Sequence, residues 1–182
     1  RLEKNKNCDL FLRSITKLDE HIKKKIFVLI VGTGPEVYNL KKFVKDKKAM
    51  SIINFLGSIN HNKINHIYDI ADIFVSLNTT GNFANNCLEA FYSGTCCIIP
   101  SENNNNGCDK IISDYIKKES IIRLSRLNPE QDLTNILSNL VINRKKILLY
   151  AKNIKEDSRR FLTSWDIRVK KELFFIDKII DK

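Results

Sequence analysis

The chain has 182 residues, a mass of 21.1 kDa and 43 % hydrophobic side chains, room for one substantial core and at most an appendage. No apolar run approaches the roughly 18 residues of a membrane span. A net charge of +10 and a pI near 9.4 favour polyanions in general, whether nucleotides, anionic lipid or nucleic acid. The lysines are scattered through helices and tail, however, and no nucleic-acid-binding motif or tight Lys/Arg cluster is visible.

The chain opens at Arg1 without methionine, so the true N-terminus is expected to be missing; nothing resembles a signal peptide, and targeting signals stay open. Cys8, Cys87, Cys96, Cys97 and Cys108 are odd in number, contain no Cys-x-x-Cys pair and lie mostly in apolar or helical surroundings. Reduced, largely buried thiols in a cytosolic protein are expected, with neither a disulfide framework nor a zinc site. His61 and His66 are five apart, no single-face spacing for a metal, and surface or capping roles suit them better.

In chain order, Arg1–Asn7 is a polar opening with three cations, and Leu10, Phe11, Ile15 and Leu18 mark a helical stripe over Cys8–Leu18. Ile26–Val31 is a continuous apolar run and a central strand. Gly32-Thr-Gly-Pro-Glu36 makes a tight turn with Pro35 at the first helical position, and the helix continues through Leu40–Val44. A lone Gly-x-Gly is weak evidence for a dinucleotide site, and the turn alone explains it. Ile52–Leu56 is the next strand with Gly57 as its stop, and Ile64–Ile70 is a short helix.

Residues 71–101 organise the rest. Ile73–Leu77 reads as a buried strand, Asn78–Asn82 as a polar loop, Phe83–Tyr92 as a helix stopped at Gly94, and Cys96–Ile99 as a strand closed by Pro100. That order is a βαβ crossover in a parallel sheet. Ligands of such sheets bind beyond the strands' carboxyl ends, where helix N-termini also point. Asn82 and Asn85 stand beside the helix start, where an amide either caps free backbone N–H groups or binds a ligand. Glu89, four residues past Asn85, shares nearly the same face and is either a solvated acid or an acceptor for a sugar diol.

A polar patch from Ser101 to Gly107, a helix of about two turns to Tyr115, and a last strand over Ser120–Leu124 follow. From Pro129 the pattern is helical: Leu133–Val141, Arg144–Phe161 and Trp165–Ile180. Five or so alternations of strand and helix predict an α/β domain with a doubly wound, Rossmann-like parallel sheet and extra C-terminal helices. The final helix is apolar around much of its circumference and must bury itself against something.

Taken in order, Val-Leu-Ile-Val-Gly-Thr-Gly-Pro-Glu, Ile-Asn-Phe-Leu-Gly, Ile-Tyr-Asp-Ile-Ala-Asp-Ile-Phe-Val-Ser, Leu-Glu-Ala-Phe-Tyr-Ser-Gly-Thr and a late Ser-Trp resemble glycosyltransferase family 4. More narrowly, the chain is similar to the C-terminal, donor-binding half of a GT-B enzyme, over nearly its whole length. The resemblance implies a retaining, metal-independent hexosyltransferase without cofactor. Its partners would be a nucleotide-sugar donor, an unknown acceptor (glycan, lipid or small molecule) and a missing N-terminal domain in cis. Residues 1–163 would bind the donor and 164–182 would pack on that missing domain. The fragment alone would be inactive, cytoplasmic, with peripheral contact at the inner face of a membrane left open and no nucleic-acid partner.

By position, Arg1 and Lys6 would grip the donor diphosphate and Glu89 the ribose. Gly81 stands where the family's first glutamate is expected, leaving the catalytic residue unknown. The sugar would fall to Asn82, Phe83, Ala84 and Asn85, and Gly32, Gly34 and Gly57 would shape turns near the nucleotide. Lys110 is a second departure, where many relatives carry a glutamate. A module that kept nucleotide-sugar binding and lost activity is the alternative implied. A basic binder of nucleic acid or anionic membrane is a third, weaker reading.

Overall fold

The continuous apolar stretches become the strands. The computed structural model describes residues 1–82, 84–102, 110–162, 167, 169, 170, 172–174 and 176. In it β1 (Val28–Val31) and β2 (Ile53–Gly57) pair in parallel, while β3 (Ile73–Val75), β4 (Cys96–Pro100) and β5 (Ile122–Leu124) form a second parallel sheet in that order. Helices α1 (Cys8–Thr16) and α2 (Glu20–Lys23) precede β1. Crossovers α3 (Val37–Asp46), α4 (His61–Ile70), α5 (Asn85–Ser93) and α6 (Lys110–Tyr115) separate successive strands, as parallel pairing requires. After β5 come α7 (Pro129–Ile142) and α8 (Arg144–Phe161).

β4 shows why the sheet is layered. All five of its residues are buried, and strand side chains alternate between faces. Cys96 and Ile98 enter one core with Leu12, Ile22 and Leu133, while Cys97 and Ile99 enter another with Phe91, Ile112 and Ile154. An apolar run with no polar alternation is what a strand covered on both sides needs. The α/β, Rossmann-like architecture follows, with the ladder hydrogen bonds divided between two sheets rather than running through one.

Element ends differ from expectation for local reasons. The first helix stops at Thr16, and Leu18 is buried in the link to the short α2. The helix expected from Leu133 starts at Pro129, because proline forfeits no bond in a first turn and Glu130 and Asp132 there suit the positive helix end. Gly94 stops α5 as predicted, with φ +78°, its N–H and that of Thr95 donating to the carbonyls of Phe91 and Ala90.

Cys87, Cys96 and Cys97 are buried thiols outside any disulfide and Cys8 is half-buried. Burial pushes Cys96 up to about 12, and burial with the Asp9 charge does the same to Cys8, so both stay protonated and inert. Cys108 lies outside the described residues, and so do Trp165 and much of the expected last helix. Within that helix Leu173 and Phe174 are more than half exposed.

Candidate functional site at the carboxyl edge of the strands

The opening segment Arg1–Asn7 crosses the ends of β1 and β3. Leu2 N–H donates to the Thr33 carbonyl at 2.8 Å, and Glu36 N–H to Leu2 at 3.3 Å. At the other end Thr79 N–H donates to the Asn5 carbonyl at 2.9 Å, and Asn7 Nδ2 to the Leu77 carbonyl at 3.0 Å. The cationic opening and the asparagine loop, some seventy residues apart in sequence, therefore meet at one edge.

The glycines make this approach possible. A Cβ on Gly34 would collide with the Leu2 carbonyl and lie 2.8 Å from the Leu2 nitrogen. Gly57 has φ +71° and its carbonyl accepts from Gly32 N–H at 2.7 Å. Gly32 and Gly34 thus form the floor beneath the segment, and Gly57 is bonded to Gly32 from the neighbouring strand. Arg1 is largely exposed, 3.4 Å from Glu3, and Lys6 lies in a 3₁₀ turn, Lys4–Lys6, that is half-buried at Lys6. A cleft of about 280 Å³ on the side of α1 and α3 is lined by Glu3, Asp9 and Glu36 with Lys4; its carboxylates oppose an anionic ligand there.

The loop is held by its own amides. Asn82 is fully buried; Ser76 Oγ donates to its Oδ1 at 2.7 Å, and its Nδ2 donates to the Asn78 carbonyl at 3.1 Å. Asn78 Nδ2 donates to the Gly81 carbonyl and its Oδ1 accepts from Thr80. Asn82 consequently shapes the loop from within instead of capping the helix. α5 begins after Ala84, which supplies no side-chain cap, and Asn85 is exposed in its first turn. Helix starts leave backbone N–H groups without intrahelical partners, which favours an anion. Phe83 lies outside the described residues.

Glu89 faces α4. Its Oε2 lies 3.1 Å from the Tyr68 hydroxyl, which is equally close to the Asn86 carbonyl, and its Oε1 is 3.9 Å from His61 Nδ1. Burial first, and the Glu89 charge second, push the Tyr68 phenol above its ordinary range, so Tyr68 stays a donor. Sequence reading missed this cluster. Tyr68 and Glu89 are joined only by the packing of α4 on α5, which no local spacing encodes.

Fold and edge together define a Rossmann-like α/β domain with an asparagine-rich loop at the carboxyl ends of its strands. Residues 1–120 match the family described as glycosyl transferases group 1, and the chain belongs to it. An uncharacterised glycosyltransferase from Methanocaldococcus jannaschii is 26 % identical over 157 residues, 85 % of this chain and 38 % of that one. The structure of Anabaena HepE in complex with UDP and glucose superposes with a TM-score of 0.76 at 15 % identity, covering 97 % of this chain and 46 % of HepE. The C-terminal domain of a glycosyl transferase group 1 protein, LpcC from Francisella tularensis, gives 0.72 at 20 % identity over 88 % of this chain and 82 % of that domain. The architecture is thus that of the C-terminal, Rossmann-like half of a GT-B glycosyltransferase, and the chain spans less than half the length of the first two proteins.

Proposed function

We propose that this chain binds the donor for a retaining, metal-independent glycosyltransferase of family 4, holding a nucleoside diphosphate sugar whose glycosyl group passes to an acceptor. The observation that carries the reading is the Asn5–Thr79 hydrogen bond, which sets the basic opening segment against the loop that leads into α5. Arg1 and Lys6 balance the diphosphate, each charge-assisted hydrogen bond contributing roughly 1.5–3 kcal/mol. The N-terminus of α5 adds roughly 0.3–1 kcal/mol. Glu89, oriented by Tyr68, accepts from the ribose hydroxyls, and Asn85, exposed in the first turn of α5, faces the sugar. Buried Asn82 acts only by shaping the loop. Electrostatic balance of the leaving diphosphate is the larger part of such catalysis. Acceptor groups come from the remainder of the enzyme, against which the apolar last helix packs.

UDP is the first ligand to try, because HepE was crystallised with it. Calorimetry with UDP, GDP and ADP should show weak binding of one of them, abolished by Arg1→Ala with Lys6→Ala. No binding at millimolar concentration would overturn the proposal. A second reading, a binding module without transfer activity, draws on Gly81. Its φ of +121° suits glycine and strains any side chain, so this backbone has no place for the expected glutamate. Donor hydrolysis by the full-length protein separates the two: a transferase hydrolyses donor slowly, a module does not.

A further inference from the structure

The edge opposite the donor loop gathers charge that is scattered in sequence. Arg1–Asn7 bonds to residues just past both β1 and β3, so the carboxyl ends of both sheets lie together and their starts share the other edge. There Lys24 and Lys25 follow α2, Lys47 and Lys48 follow α3, and Lys145 and Lys146 lie in the first turn of α8, all exposed. Val28 N–H, donating to Ile52, joins the first two loops. Packing of α7 on α2, and the 2.9 Å bond from Arg144 to Asp72 before β3, bring the third. The lysines outnumber Asp19, Asp46 and Asp69, while Glu20 is paired with Lys23 and Asp72 with Arg144. Among them Phe27, Met50 and Leu148 are 65 %, 56 % and 68 % exposed.

We propose that this edge docks on an anionic lipid bilayer. Lysines alone would suit any polyanion, but apolar side chains standing among them fit an interface with a hydrocarbon boundary. Phe27 alone would offer a nucleic acid a stacking surface, whereas Met50 and Leu148 gain only from contact with hydrocarbon. No helix among the described residues is long and apolar enough to cross a membrane, so contact is peripheral. The proposal rests on residues far from the donor loop and stands independently of what that loop binds.

The test is flotation of the purified full chain with vesicles of phosphatidylcholine alone or mixed with phosphatidylserine. Binding is expected only to the mixed vesicles and should fall with added salt. Neutralising Lys24, Lys25, Lys47 and Lys48 to Gln should weaken it by on the order of fivefold per lysine. Lys4→Gln with Lys63→Gln, on the donor edge, should leave it nearly unchanged. Phe27→Ser with Met50→Ser should lower the part of the binding that survives high salt; circular dichroism checks that each variant folds. No binding to mixed vesicles, equal binding to neutral ones, indifference to the Phe27 and Met50 changes, or tighter binding to an RNA oligonucleotide would each overturn the proposal.

Discussion

Lys48 holds φ +54° at the end of α3, where Ala49 N–H donates to the Val44 carbonyl. Helices closing this way usually place glycine in the left-handed position, and an L-residue there costs roughly 1–2 kcal/mol. Glycine would relieve that cost while loosening the unfolded chain, for a net gain of up to about 1 kcal/mol. Lys48→Gly should therefore raise the urea midpoint without changing the slope, and weaken vesicle binding at the same time. Stability and docking would then move in opposite directions at one residue. Tyr68→Phe addresses the other edge. It removes the donor at Glu89 Oε2 while keeping the ring that packs edge-on against Phe74. Nucleotide affinity should fall about three- to tenfold by calorimetry, the worth of one net hydrogen bond. An unchanged affinity would detach Glu89 from the ligand.

At the scale of elements, α8 is latched by one buried carboxylate. Asp157 Oδ2 accepts from Lys117 N–H at 3.0 Å and Ser120 Oγ at 2.7 Å, just before β5, and Oδ1 lies 3.3 Å from Arg160. Ser158 Oγ donates to the Phe91 carbonyl beside it. Asp157→Ala leaves a buried hydroxyl and an N–H without their acceptor, so urea unfolding should show a loss of about 3 kcal/mol, against about 1 for Asp157→Asn. The strand cores and the bounds of α8 were legible in the sequence because burial on both faces of β4 and a long 3.6-residue period leave unbroken patterns. The short α2 was not legible, being a single turn held by Ile22 in the core. The start of α5 shifted because Ser76 draws Asn82 inward, a bond no periodicity reveals. For the same reason the lysines of three loops read as scattered, and only the topology unites them.

For the whole molecule, the candidate site was legible as two motifs and illegible as one place. Spacing alone could not bring the cationic opening to the asparagine loop; the segment's bonds past β1 and β3 do that, and Gly34 permits them. This makes Gly34 the point where stability and binding meet. A methyl there must displace the Leu2 backbone, so Gly34→Ala should cost about 1–3 kcal/mol, the range for overpacking. A ligand that binds only the folded chain stabilises it by about 2.7 kcal/mol at a hundredfold excess over its Kd. Thermal scans of the wild type with the nucleotide found by calorimetry should therefore show a rise in Tm at that concentration. In Gly34→Ala the starting Tm should be lower and the rise absent, because the segment no longer reaches the loop. A variant that loses stability yet keeps the full ligand-induced rise would mean that Arg1–Asn7 braces the two sheets without touching the donor, and the diphosphate would have to be sought elsewhere along the edge.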